Sequence, residues 1–158
     1  MPIIACFGNE EYIESRNEIV SLVGDHVIFL DESTTTLSIE GSRLSVVGSS
    51  VILNQPLDLF EIKDVFEKRA RKVSKLLQGV AKISKHTVLL LHYSPLAEEY
   101  PDSQSFSWWI SKAVEEVKPT LIIHGHIHDS KILKTKIETT SVYNVALPAV
   151  GSITELTL

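Results

Sequence analysis

Apolar positions along the chain fall into short continuous runs and longer periodic stretches, which predict strands and helices respectively. Continuous runs that stop at a glycine or a polar cluster are typical of buried strands. They occur at residues 3–7, at 26–30, at 86–91 and in the run that begins at Pro119. Helical spacing occurs over residues 10–24, 57–83 and 105–117. We expect Gly24 to end the first helix and Gly79 to break or end the second.

Other regions alternate apolar and polar residues, which is the period of a half-exposed strand. Residues 35–50 alternate on both sides of Gly41 and predict a β-hairpin. Three C-terminal stretches, 131–138, 141–147 and 152–158, predict an antiparallel meander. Strands interleaved with helices and followed by a β-rich tail indicate one layered α/β domain over residues 1–158.

Composition narrows the class of protein. The 158 residues fit one domain, and 44% apolar with 22% charged residues is ordinary for a soluble globular protein. A net charge of −5 argues against an extensive nucleic-acid footprint. The single cysteine, Cys6, cannot form an internal disulfide, and no signal peptide or membrane-spanning run is visible. We therefore expect a cytoplasmic protein without a membrane partner.

Polar clusters directly follow three of the predicted strands, at residues 8–11, 92–95 and 124–128. Ligands bind at the carboxyl ends of strands in open α/β sheets, so the clusters would share one edge if the strands share a sheet. Polar residues also begin ordinary loops, and one such cluster alone indicates little. The occurrence of three is the first indication of a functional site.

The last cluster, "HGHIH" at 124–128, contains three of the six histidines. In extended backbone, His126 and His128 would point to the same side. Neutral imidazole is the commonest protein ligand of divalent metals, although two histidines on a surface loop give the same pattern. His124 still belongs to the strand, and we expect a structural role for it.

His92 and Asn9 are the other candidates for metal binding. His92 follows three leucines at the end of a buried strand, where it could bind a metal or be a buried histidine with a hydrogen-bond partner. Asn9 could supply a carbonyl oxygen, although Gly-Asn is also a common turn pair.

These residues occur in an order that resembles the calcineurin-like metallophosphoesterase superfamily. Gly8-Asn9, "LLLHYSP", "LIIHGHIH" and "NVALPAVGS" carry the resemblance over essentially the whole chain. It implies an α/β (α+β) fold, a two-layer β-sandwich flanked by helices, with one or two divalent ions (manganese, iron or zinc). The implied chemistry is hydrolysis of phosphate mono- or diesters, including small or nucleotide-like substrates. Asn9, His92 and His126 resemble ligands of the family's second metal, and His128 resembles a ligand of the first.

The chain departs from this family near its first residue. The family's Asp-x-His and Gly-Asp-x-x-Asp motifs precede Gly-Asn, and nothing before Gly8 corresponds to them. Glu10 occupies the position at which the family usually has a proton-donating histidine. It is a candidate acid or base if its pKa is raised, or else a carboxylate that stabilises the start of a helix.

The missing carboxylates limit the metal content that we predict. Two +2 ions roughly 3.5–4 Å apart repel by roughly 18 kcal/mol at an effective dielectric constant of about 20. The four candidate ligands are all neutral, and without a bridging carboxylate they should not hold two ions. One ion bound by His92, His126 and Asn9 is the simpler prediction.

Without those motifs, we expect an exposed sheet edge and uncovered apolar surface. The chain could begin inside a longer one, form a homodimer, or receive the missing strands and carboxylates from a partner chain. We expect a homodimer or such a partner.

Two functions remain open. The first is a metal-dependent phosphoesterase, or a truncated and impaired member of that family. The alternative is a non-catalytic binding or scaffold module, favoured by the missing carboxylates and by Trp108 and Trp109. A structural single-metal site is a third interpretation.

Overall fold

The computed structural model describes residues 2–50, 59–96 and 106–158, with the first four residues of the helices that begin at 59 and 106 described by their backbone only. The side chains of Trp108 and Trp109 therefore lie outside the described residues. The elements, in chain order, are β1 (Ile3–Ala5), α1 (Ile13–Val23), β2 (Val27–Phe29), β3 (Ser33–Ile39), β4 (Ser42–Ser49), α2 (Leu59–Ala81), β5 (His86–Leu91), α3 (Phe106–Val117), β6 (Leu121–His124), β7 (Lys134–Ile137), β8 (Thr140–Asn144) and α4 (Leu147–Val150).

Six strands form a mixed sheet in the order β3-β4-β5-β6-β8-β7, and β1 and β2 form a separate two-stranded parallel sheet. Strands β4, β5, β6 and β8 are parallel, whereas β3 and β7 pair antiparallel at the two edges. The predicted mixed α/β class is confirmed, and the architecture is consistent with the metallophosphoesterase-like fold that the resemblance implies.

One face of the large sheet is covered by α2 and α3. The side chains of Val73, Leu77, Ile110 and Val114 are fully buried there against Leu89, Leu91 and Ile122 of the sheet. The strands alternate, so Leu89 and Leu91 of β5 face the helices, while Val88 belongs to the apolar cluster on the opposite face. This packing is why "HTVLLL" is continuously apolar.

The opposite face is covered by a thinner layer. Leu30 and Ile4, from the segment that contains β1 and β2, pack with Val46 and Val88 of the large sheet. The approach is close at Gly48, where an added Cβ would lie 2.3 Å from Cβ of Leu30. An aliphatic groove of about 270 Å³ lies on this face and is lined by Ile4, Leu44, Val46, Val88, Leu90, Leu121, Ile123, Leu156 and Leu158.

The predicted hairpin is confirmed as β3 and β4. Its two-residue turn has Glu40 at φ 48° and Gly41 at φ 80°, and Ile39 pairs with Ser42 across it. Positive φ at both central positions belongs to the type I′ turn, whose twist matches that of the strands.

Two local predictions are wrong. Helix α2 continues through Gly79 to Ala81, because Leu77 and Val80 are buried on either side of a glycine whose intrinsic cost is only ~1 kcal/mol. The tail is not an antiparallel meander: β8 pairs antiparallel with β7 but parallel with β6, and residues 153–158 form neither helix nor strand. Leu156 instead packs its side chain against the second face of the sheet.

No helix in the described part of the chain is long and apolar enough to cross a membrane.

Candidate metal centre

The three polar clusters lie at the ends of β1, β5 and β6. Strands β5 and β6 are parallel neighbours, and Leu91 pairs with His124, so the polar residues that follow both strands leave the sheet side by side. Strand β1 belongs to the other sheet, so the condition that all three strands share one sheet is not met. The clusters still meet, because the small sheet lies over the large one and delivers Asn9 to His92.

Asn9, His92 and His126 come together around one oxygen atom. The Oδ1 of Asn9 lies 2.6 Å from Nε2 of His92 and 3.2 Å from Nδ1 of His126. The imidazole rings of the two histidines are 4.9 Å apart between centroids. Residues separated by 83 and 117 positions in the chain thus present one side-chain oxygen and two ring nitrogens to the same point.

His126 reaches this point through an unusual backbone turn. Its φ is +69°, and the N–H of Ile127 donates to the carbonyl of Gly125 at 2.9 Å, which closes a three-residue γ-turn. The positive-φ form of this turn is rare and costs about 1–3 kcal/mol, and such strain clusters at functional sites. The extended backbone expected between His126 and His128 is therefore wrong.

His128 consequently does not join the other three. Its side chain is exposed, whereas those of Asn9, His92 and His126 are partly buried. It nevertheless lies close enough for its charge to lower the pKa of both His92 and His126. Its assignment as a metal ligand stays a prediction.

The environment keeps both central histidines neutral. Burial lowers the pKa of His92 to about 4, with the positive charge of His126 as the second cause. Burial also lowers the pKa of His126, and the charge of His128 adds to the effect. Neutral imidazole is the form that binds metals, so the site does not need to lose a proton from either ring at pH 7 before binding.

Glu10 is exposed, and its Oε1 accepts a hydrogen bond of 2.7 Å from Nδ2 of Asn9. The carboxylate is therefore placed on the amide of Asn9, on the far side from the oxygen that faces the imidazoles. This contact gives Glu10 a role that the sequence did not indicate.

Glu11 and Gly8 complete the contacts around His92. The carboxylate of Glu11 accepts a hydrogen bond from the N–H of Gly8. A Cβ added at Gly8 would lie 2.9 Å from Oε2 of Glu11 and 3.0 Å from Cε1 of His92. The absence of a side chain at Gly8 lets the carboxylate and the imidazole approach the same backbone position.

Asn9 is held over the histidines by contacts at the end of β1. The N–H of Phe7 donates to Oγ of Ser50 at 3.0 Å, and the N–H of Ser50 donates to Oδ1 of Asp31 at 3.2 Å. Arg16 pairs with Oδ2 of Asp31 at 2.9 Å and lies over the Phe7 ring, 4.6 Å from its centroid. These bonds join the two sheets directly beside the candidate centre.

His124 lies buried at the end of β6, apart from the candidate ligands. Its Nδ1 is 3.1 Å from the carbonyl of Gly125, and its own carbonyl accepts from the N–H of Val145 at 2.8 Å. This placement agrees with the structural role expected for it.

The donor atoms fit one metal ion. Ligand atoms ~2.1 Å from a metal and 90–109° apart are separated by roughly 3.0–3.4 Å, and the Asn9–His126 separation of 3.2 Å falls in that range. The Asn9–His92 separation of 2.6 Å would have to widen by a few tenths of an ångström. Across residues 2–50, 59–96 and 106–158, no three His, Cys, Asp or Glu side chains are grouped to hold a metal, so a site with three protein donors here would have to include the amide of Asn9.

A second ion does not fit the donors that the structure brings together. The two carboxylates beside the cluster are engaged elsewhere, Glu10 on the Asn9 amide and Glu11 on the Gly8 N–H. Among the described residues of the cluster, no bridging carboxylate is therefore available to offset the repulsion of two cations.

Sequence reasoning missed Tyr93 as a member of this site. Its ring centroid lies 4.3 Å from that of His126 and 4.9 Å from that of His92. Burial raises the pKa of Tyr93, and the charge of Glu10 adds to the increase. Its position directly after His92 was the only signal in the sequence.

The sequence matches no protein-family model and no curated protein. The fold is similar to that of sulfate thiohydrolase SoxB from Thermus thermophilus in complex with glycerol, with 17% identity and a TM-score of 0.53 over 83% of this chain and 25% of that one. A hypothetical protein from Thermus thermophilus has 14% identity and a TM-score of 0.56 over 90% of this chain and 53% of its own. The protein TT1561 from the same organism has 13% identity and a TM-score of 0.56 over 96% of this chain and 65% of its own.

At these identities the likeness shows a shared fold. This chain spans between a quarter and about two thirds of the length of the structures that it resembles.

Proposed function

We propose that this chain is a metal-dependent phosphoesterase that hydrolyses phosphate mono- or diesters and holds one divalent ion, such as manganese, iron or zinc. The observation that carries the proposal is the convergence of Asn9 Oδ1, His92 Nε2 and His126 Nδ1 from three separate strand ends. The likeness in fold to a thiohydrolase supports hydrolytic chemistry.

Three features of the chain prepare these residues for binding a cation. Burial keeps His92 and His126 neutral, so their ring nitrogens can bind the ion. The γ-turn at His126 directs its ring to Asn9 instead of to solvent. A bound divalent metal supplies Lewis-acid polarisation of a phosphoryl oxygen and activation of water.

Two residues beside the cluster, His128 and Tyr93, complete the proposed site. His128 is exposed beside the cluster and can contact the ion or the substrate from solvent. Tyr93 packs against both imidazole rings and limits their movement. A nucleotide-like substrate is part of this proposal.

The alternative function is a non-catalytic binding or scaffold module on the same fold. The neutral ligand set favours it, because the described residues place no carboxylate among the donor atoms. Metal content separates the two functions. A purified protein without bound metal, whose melting temperature does not rise when Mn²⁺ is added, is a scaffold.

Hydrolysis of an aryl phosphodiester such as bis(4-nitrophenyl) phosphate in the presence of Mn²⁺ tests the enzyme directly. We expect His92→Ala and His126→Ala to lose at least ~100-fold in kcat/KM, since each removes one of three protein ligands. His26→Ala is the matched control, because His26 is exposed at the start of β2 and outside the cluster. Activity that all three variants share equally would come from a contaminant and would reject the assignment.

A further inference from the structure

The contact with Glu10 selects one orientation of the Asn9 amide. Its Nδ2 is 2.7 Å from Oε1 of Glu10, and an ionised carboxylate can only accept hydrogen bonds. The NH₂ group must therefore face Glu10, which leaves Oδ1 toward His92 and His126. Asn9 thus presents a metal-binding atom to the cluster because Glu10 occupies its other side.

A flipped amide would destroy the candidate centre. The NH₂ group would then face Nε2 of His92 and Nδ1 of His126, and an amide nitrogen does not bind a divalent cation. At the same time Oδ1 of Asn9 would face the Glu10 carboxylate, and two acceptors would oppose each other. This flipped state is disfavoured because Glu10 loses its hydrogen bond and its carboxylate repels Oδ1 of Asn9.

We propose that Glu10 is a positioning residue that holds the Asn9 side chain with its oxygen toward the imidazoles. The inference rests on the proposed function, in which Asn9, His92 and His126 bind one divalent ion. Glu10 acts through Asn9 and touches neither histidine in the contacts described. This role differs from both alternatives that its position in the sequence left open, an acid or base and a carboxylate at the start of a helix.

The expected effect is modest, because the bond between Asn9 and Glu10 is exposed to solvent. Hydrogen bonds to charged groups are stronger than neutral ones, but exposure to solvent reduces their contribution. We expect Glu10→Ala to weaken Mn²⁺ binding by about 3- to 10-fold in titration calorimetry. Glu10→Gln should fall between wild type and Glu10→Ala, because a Gln side chain can pair with either orientation of the Asn9 amide.

Glu14→Ala is the matched control for charge. Glu14 is an exposed carboxylate in the first turn of α1, and its removal changes the net charge by the same amount. We expect its Mn²⁺ affinity to equal that of wild type. A loss as large as that of Glu10→Ala would show a general charge effect and overturn the proposal.

The Asn9→Asp background separates positioning from local charge. Aspartate has two equivalent oxygens, so no orientation remains for Glu10 to select. In this background Glu10→Ala should change Mn²⁺ affinity no more than Glu14→Ala does, because no orientation of residue 9 is lost. The same 3- to 10-fold loss in both backgrounds would mean that Glu10 attracts the cation directly, and would overturn the positioning role.

A readout without metal separates this inference from the proposed function. In metal-free wild type, Nε2 of His92 lies 2.6 Å from Oδ1 of Asn9 and 3.3 Å from the backbone nitrogen of Asn9, which donates to it in the Nδ1–H tautomer. An inward Oδ1 favours the Nε2–H tautomer instead, and long-range ¹H–¹⁵N NMR spectra of the imidazole measure the two populations. We expect Glu10→Ala to shift His92 toward the Nδ1–H tautomer. If wild type binds no Mn²⁺ but this shift occurs, positioning stands and the proposed function fails. If Mn²⁺ binds equally to both proteins and the tautomer is unchanged, the positioning role fails and the function stands.

Discussion

The two faces of the six-stranded sheet are covered in different ways. On one face, α2 and α3 bury Val73, Leu77, Ile110 and Val114 completely. On the other face, two three-residue strands bring Ile4 and Leu30 onto the sheet and leave an aliphatic groove of about 270 Å³. Helix α1, which accompanies this thin layer, has no buried residue at all.

The two faces of the sheet contribute different parts of the candidate centre. The helix-covered face holds β5 and β6 in place, and these strands end in His92 and the turn of His126. The thin face supplies Asn9, which contacts both histidines directly. Hydrogen bonds of Ser50 with Phe7 and Asp31 hold this layer to the sheet nearby. The two imidazoles therefore belong to the tightly packed part of the molecule, and the amide oxygen belongs to the weakly packed part.

We expect the largest difference in stability between alanine substitutions at two adjacent residues of β5, Leu89 and Leu90. Leu89→Ala should lower the free energy of unfolding by about 2–5 kcal/mol, because Leu89 is fully buried against the helices. Leu90→Ala removes the same atoms on the groove side, where Leu90 is only partly buried, and should cost clearly less. Urea denaturation measures both. Equal losses would show that the two faces contribute equally.

Two glycines test how closely the thin layer approaches the sheet. Gly48→Ala would place a Cβ 2.3 Å from Cβ of Leu30, and we expect a loss of about 1–3 kcal/mol. Gly79→Ala is the control: nothing lies within 4 Å of its added Cβ, and it should gain up to ~1 kcal/mol in helix α2. Thermal unfolding measures both changes. A neutral Gly48→Ala would show that the β1–β2 layer is not seated on the sheet as described.

His92 follows β5 and contacts Asn9, which the thin face supplies. We expect it to make the free energy of unfolding depend on pH. Its pKa is lowered from 6.5 to about 4 by burial and by the His126 charge, so the unfolded chain binds more protons between these values. In the presence of a chelator, the free energy of unfolding should be unaffected by His92 above about pH 6.5 and should fall as the pH decreases toward 4. His92→Asn should flatten this part of the profile. An unchanged slope in the variant would assign the dependence to other groups.

The exposed apolar residues of α1 should be covered by a second copy of the chain. Leu22 is 76% exposed, and Ile13, Val20 and Val23 of the same helix are also exposed. Large uncovered apolar surfaces are typical of interfaces. We expect light scattering to give a dimeric mass for the wild type and a monomeric mass for Leu22→Glu. After the contribution of dimerisation is subtracted, the free energy of unfolding per chain should change by less than ~0.5 kcal/mol. Ser21→Glu on the polar side of the same helix is the control, because Ser21 is also exposed. A monomeric wild type with cooperative unfolding would reject the dimer.

The sequence predicts best those elements whose hydrophobic pattern is compatible with only one type of secondary structure. The run "HTVLLL" corresponds to β5 residue for residue, and the alternation around Gly41 corresponds to the hairpin. The predictions fail where distant packing decides the outcome. Gly79 continues a helix because its neighbours are buried, and residues 153–158 lie against the sheet without pairing.

The candidate site was also only partly predictable from the sequence. Asn9, His92 and His126 were chosen from the sequence, and the structure brings them together. The left-handed turn that separates His126 from His128 could not be inferred from residue types, because positive φ at a non-glycine residue is uncommon. The contact of Tyr93 with His126 also depends on the pairing of β5 with β6.

The sequence by itself determined the mixed α/β class, most of the strands and helices, and the residue types that can bind a metal, because hydrophobic periodicity and side-chain chemistry are local properties. Only the tertiary structure decided that the amide that follows one sheet meets the imidazoles that follow the other. Those contacts join residues up to 117 positions apart, and such distances between atoms are set by the packing of the sheets and not by the pattern of any single segment.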